Sequence, residues 1–79
     1  MTKRNFRLKS GVNKMETYNF KYDLNQKVSS ISYSDFEYHN GWVYEMKVGR
    51  GGFISYMILF EEQNLEPVWV EETFIKTIE

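Results

Sequence analysis

The chain has 79 residues, 18% of them aromatic, with no cysteine and a formal charge of −1. A chain this short is one small domain that buries only about 60% of its unfolded surface, so its core is modest. The composition excludes disulfide staples and cysteine-based zinc, its single histidine excludes a His-rich metal site, and no apolar run of about 18 residues is present to span a membrane.

The chain lacks alanine, the best helix former, and is rich in aromatic and β-branched residues. That points to an all-β domain. The residues from Met1 to Arg7 are basic but lead into no apolar stretch, so no secretory signal is expected. Together with the missing cysteines this favours a cytoplasmic location. The charge is uneven. Residues 1–14 carry +5, residues 15–60 carry −1 and residues 61–79 carry −5. A basic arm on an acidic body suits either a nucleic-acid contact or a solvated tail that leans on its own acidic end.

Residues 1–14 show no period of 2 or 3.6 and read as a flexible basic arm, with the patterned domain over 15–79. Tyr18, Phe20 and Tyr22 alternate with polar residues, the period of a half-buried strand. Asp23 to Gln26 reads as a turn in which Asn25 takes the left-handed conformation. Val28 to Tyr33 gives a second strand. Ser34 to Gly41, ending in Asn-Gly, reads as a loop. Trp42 to Val48 and Phe53 to Glu62 are two more strands. Between them Gly49-Arg50-Gly51-Gly52 raises the question of a phosphate cradle. Such a loop needs a Lys-Ser/Thr and a following helix. Neither is present, so the glycines are assigned to a hairpin. Gln63 to Glu66 is a turn, Val68 to Val70 a short strand, Glu71 to Thr73 a tight turn and Phe74 to Ile78 a last strand. Five or six short strands cannot leave their edges bare, and closing into a small barrel is the economical answer.

Three stretches carry a resemblance. Phe20 to Val28 resembles an opening "aromatic, turn, Gly-Asp/Gln-x-Val", with Asn25 where Gly is usual, Gly41 to Met46 resembles "Gly-x-Val-x-x-apolar" with a bulge, and Tyr56 to Phe60 followed by Val70 to Ile75 resembles "Tyr-x-Val-x-Phe" and a closing "Val-x-Glu-x-x-Leu". In order and spacing they look like the small SH3-like barrels of the Tudor and KOW type, found among bacterial and phage proteins. The resemblance covers about residues 18–76. It implies a five- to six-stranded SH3-like barrel with a basic N-terminal arm. It also implies a core of Leu24, Val28, Ile31, Val43, Met46, Tyr56, Ile58, Phe60, Val70 and Ile75. The complete KOW glycine pattern is missing, and the loop after Tyr33 is short for proline-rich peptide binding.

No catalytic constellation emerges. The serines at 29, 30, 32 and 34 lack a nucleophile-elbow motif, and His39 beside Asp35 and Glu37 reads either as a dyad or as an exposed loop residue. The paired glutamates 61–62 and 71–72 lack EF-hand spacing. The expectation is a non-enzymatic protein with no cofactor and no metal. The aromatics say more, because a small barrel cannot bury them all. Tyr33, Phe36, Tyr38, Trp42 and Tyr44 are candidates for one partner-binding patch, with Arg50 as an added contact. Three uses compete: a protein interface, a stacking platform for single-stranded nucleic acid, and a cage for a cationic ligand. A fourth account has the rings cover a thin core or a homodimer contact. The Asn, Lys, Ile and Tyr bias suggests an AT-rich genome, a low-GC bacterium or its phage, and with it a small host- or defence-modulating binder.

Overall fold

The computed structural model describes residues 18–78 in full, and Arg4–Ser10 and residues 14–17 by backbone pairing alone. The side chains of the expected basic arm over 1–14 lie outside the described residues. Strand β1 (Arg4–Ser10) pairs antiparallel with β2 (Lys14–Phe20) as a two-stranded ribbon. Five further strands form one antiparallel sheet: β3 (Lys27–Ser32), β4 (Glu37–Val48), β5 (Ile54–Phe60), β6 (Val68–Glu71) and β7 (Ile75–Thr77). Their order is β6-β5-β4-β3-β7. The protein is all-β, and no helix among the described residues is long and apolar enough to cross a membrane.

The expected closure into a barrel is not present in the strand pairing. β6 and β7 are the two edges of an open sheet, although they are consecutive in the chain. A single 3-10 turn, Glu72–Phe74, carries the chain from one edge to the other and lies against β5. With β3 also approaching β6, the sheet curls around its core without a closing ladder. Edge strands of four and three residues leave little room for one.

The alternating pattern sets the core. Phe20, Tyr22, Val28, Val43, Tyr56, Ile58, Phe60, Val70 and Ile75 form one buried cluster. Seven of the expected core residues are in it. Ile31 and Met46 are half-buried and pack against it. Leu24 is a correction, since it is 41% exposed. It sits in the tight turn before β3, where the Asn25 N–H donates to the Val43 carbonyl at 2.7 Å and the Val43 N–H donates to Gln26 at 3.0 Å. The backbone makes that contact, and the leucine side chain is turned out. Asn25 has the expected left-handed conformation, with φ 67°.

Phe20 and Tyr22, not named in the expected core, are in the buried cluster. The Tyr22 and Tyr56 rings meet edge-on at 5.4 Å, and Phe20 meets Tyr56 at 6.4 Å. Their polar ends are satisfied. Tyr22 Oη donates to the Ile75 carbonyl at 2.7 Å, and Tyr56 Oη donates to Glu72 Oε2 at 2.5 Å while accepting the Tyr22 N–H at 3.3 Å. Burial, and then the Glu72 carboxylate, push the Tyr56 hydroxyl well above its ordinary pKa, so it stays a donor. This network pins the end of β2 to the 3-10 turn.

The expected loop from Ser34 to Gly41 is a second correction. β4 already starts at Glu37, and only the turn from Tyr33 to Phe36 separates it from β3. The Phe36 N–H closes that turn on the Ser32 carbonyl at 2.7 Å. Asn40-Gly41 is no turn, because Gly41 pairs with Phe60 in mid-strand. The Gly49–Gly52 segment is the hairpin connection, with Gly51 and Gly52 at φ 83° and 84°, conformations open to glycine.

Candidate interaction surface

Alternation along the ladder assigns each side chain to one of two faces. Between Val43 and Glu45 the β4–β5 register slips by one residue, so Tyr44 is the extra residue of a β-bulge. That slip lets Val43 and Met46 both point inward, as the resemblance implied. The inward row is the core. The outward face reads, across the sheet, Trp69 on β6, Met57 and Leu59 on β5, Tyr38 and Trp42 on β4, with Lys27 on β3 and Lys76 on β7. Trp69, Met57 and Leu59 are half-buried without belonging to the core cluster. Trp42 and Tyr38 are 37% and 39% exposed. A sheet with one solvated face normally carries polar residues there.

Each aromatic ring on this face has a lysine above it. Lys27 Nζ lies 5.5 Å from the Trp42 ring centroid, Lys47 lies 4.2 Å from Trp69 and Lys76 lies 4.2 Å from Tyr38. Lys47 reaches Trp69 diagonally over Ser55, whose small side chain leaves the path open. Such contacts contribute about 0.5–1 kcal/mol each at exposed sites. Lys27 also bridges to Glu61 at 3.5 Å, an exposed pair that adds little stability.

The sequence-derived patch is thus divided. Tyr38 and Trp42 lie on the outward face. Tyr44 is beside them at the bulge, 56% exposed. Tyr33 and Phe36 form a separate pair at the β3–β4 turn, their rings edge-on at 6.4 Å, with Phe36 72% exposed. Phe36 has φ 58°, a conformation a bulky side chain rarely adopts. Tyr33 also borders a cleft of about 320 Å³ with Ser32, Ser34, Asn64, Glu66, Pro67 and Val68. Arg50, in the 3-10 turn Arg50–Gly52, sits at the opposite end of β4 from Phe36, and the fold does not bring it to the turn pair.

His39 is not a free loop residue. Its Nε2 faces Asp35 Oδ2 at 2.8 Å and its Nδ1 faces Glu62 Oε1 at 2.6 Å, while the ring meets Phe60 edge-on. Glu37, named beside it from sequence, instead donates its N–H to Asp35. Both imidazole nitrogens face acceptors, so both are donors only in the imidazolium form. The Asp35 hydrogen bond is the largest influence raising the His39 pKa, with Glu62 adding to it. The Glu37 N–H, and then His39, hold Asp35 below its ordinary range. The clamp ties the β3–β4 turn to the loop after β5. Because the folded pKa is raised, its stabilisation is complete below the ordinary imidazole value of about 6.5 and disappears as pH rises through the folded value. An NMR titration of the His39 ring should show a midpoint above the ordinary one, and His39→Gln should flatten the stability–pH profile across that window. A midpoint at or below about 6.5 would remove the clamp from the account.

Compared with protein-family models, curated proteins and solved structures, the chain matches none.

Sequence reasoning missed Trp69, Met57, Leu59 and the three lysines as members of the surface. The signal was available only in part, as the alternation within each strand. Which strand faces lie side by side depends on pairing and register.

Proposed function

We propose that this chain is a non-enzymatic, SH3-like binding module that works by protein–protein contact through the outward face of its sheet. The observation that carries the reading is the row Trp69, Met57, Leu59 and Trp42, which crosses three strands on the side away from the core. Contiguous apolar surface of this kind marks interaction sites, and Trp and Tyr anchors dominate binding energy at such sites. The SH3-like part of the proposal rests on the resemblance carried by the stretches Phe20 to Val28, Gly41 to Met46, and Tyr56 to Phe60 with Val70 to Ile75. A cytoplasmic, phage- or host-directed regulatory role is consistent with this reading.

Single-stranded nucleic acid is the alternative, favoured by lysines interleaved with rings. Glu45, Glu61 and Glu71 on the same face count against it, because phosphate neutralisation carries most of that affinity. The test is capture from host lysate by the tagged full chain, with and without nuclease, beside Trp42→Ala. The expected result is a stoichiometric protein band that survives nuclease and is lost in Trp42→Ala, with circular dichroism showing that the variant still folds. A band unaffected by Trp42→Ala would refute the outward face as the site, and a band lost with nuclease would favour the nucleic-acid reading.

A further inference from the structure

Asn40-Gly41 is the one asparagine–glycine pair in the sequence, and the other five asparagines are followed by Phe, Lys, Phe, Gln and Leu. Asparagine ahead of glycine is labile in water, because glycine has no side chain to obstruct attack of its backbone nitrogen on the asparagine side chain. Yet this pair stands inside β4, the middle strand of the five, with Asn40 exposed. Gly41 is level with Val28 on β3 and with Phe60 on β5. On one side the Glu61 N–H donates to the Asn40 carbonyl at 2.9 Å, and on the other the Val43 N–H donates to the Gln26 carbonyl at 3.0 Å. Antiparallel ladders alternate, so these two bonds direct the Gly41 N–H toward Val28.

We propose that Asn40-Gly41 is a latent self-modification site, closed while β4 is paired and reactive once β4 leaves its neighbours. In the open chain the Gly41 nitrogen bonds to Asn40 Cγ and the Cγ–Nδ2 bond breaks. Ammonia leaves, carrying off the proton of the Gly41 N–H, and a succinimide ring remains. Water then splits either ring C–N bond, giving aspartate or isoaspartate at position 40. In the sheet the first step is blocked twice. The Gly41 N–H is held toward β3, and the extended backbone keeps its nitrogen away from Asn40 Cγ. The two products fare differently on refolding. Aspartate leaves the main chain unchanged and adds a charge at an exposed position. Isoaspartate routes the main chain through the side-chain carbon, which inserts an extra atom before Gly41. It also turns the carbonyl that accepts the Glu61 N–H into a carboxylate off the main chain. Gly41 has no room to take up the added length, since even a Cβ there would lie 2.6 Å from the Leu59 carbonyl oxygen. A chain that stays open long enough therefore cannot close again.

The test ages the full chain in buffer and in urea. Peptide mass spectrometry reads the loss of the Asn40 amide, and isoaspartyl methylation tells isoaspartate from aspartate. Conversion in urea should be at least about a hundredfold faster than in buffer, because opening a central strand takes most of the global unfolding free energy. After urea is removed, the chains that fail to recover their circular dichroism should carry isoaspartate at position 40, and the recovered chains should not. In Asn40→Thr the recovered fraction should not fall with time in urea. Equal conversion in buffer and in urea would overturn the inference, because the sheet would then not guard the pair. So would isoaspartate spread evenly between recovered and unrecovered chains, a comparison that holds whether or not Asn40→Thr folds.

Discussion

Ile58→Ala should lower the unfolding free energy by about 2–5 kcal/mol, the range for truncating a buried isoleucine. Ile58 is fully buried and stands at the middle of the sheet, opposite Val43 on β4 and Val68 on β6. Its neighbours are held by backbone ladders on both sides, so the site cannot collapse around the void. A domain of this size has a stability near the lower end of about 5–15 kcal/mol, and the variant should be largely unfolded near body temperature. Urea unfolding of both chains measures the difference directly. A loss under about 1 kcal/mol would show that the core is centred elsewhere.

Gly41→Ala is expected to be nearly as damaging, for the opposite reason. A Cβ on Gly41 would lie 2.6 Å from the Leu59 carbonyl oxygen and 3.0 Å from Ile58 Cγ2. The first neighbour is backbone and cannot rotate away. β4 would have to lift from β5 where Gly41 pairs with Phe60, and the adjacent bond from the Glu61 N–H to the Asn40 carbonyl would stretch. Forcing extra volume into a packed interior costs about 1–3 kcal/mol, sometimes more. Thermal unfolding should show a clear drop for Gly41→Ala, while substitution at Gly49, whose nearest neighbour is 3.6 Å from a Cβ, should be mild. Equal effects at the two glycines would contradict the close approach.

These two residues also show where the sequence was readable. Gly41 was noticed both as the end of an Asn-Gly pair and as the first residue of a "Gly-x-Val" strand. The second reading is the right one, and the physical reason is space in mid-strand, with no turn there at all. Local chemistry was legible wherever it decides the backbone by itself: Asn25 in its left-handed turn, the Gly49–Gly52 hairpin, and the period of two that buries Val43, Tyr56, Ile58 and Phe60. It failed where a contact between distant segments decides. Leu24 is displaced from the core because the backbone of its turn bonds to Val43, and Tyr22 takes the interior because its hydroxyl reaches Ile75. His39 was seen beside Asp35, but its second carboxylate, Glu62, is twenty-three positions away in the chain. The outward face was half visible for the same reason. Trp42 and Tyr38 stand out as surplus aromatics, but Trp69 joins them only through β5.

The protein has two tryptophans, and Trp42 and Trp69 both lie on the outward face, so their fluorescence reports on that surface alone. Acrylamide quenching of the free chain and of the chain with its captured partner is therefore the most direct test of its role. The account predicts that the partner lowers the quenching and shifts the emission to the blue as the face becomes covered. Quenching and emission that a captured partner leaves unaltered would contradict it.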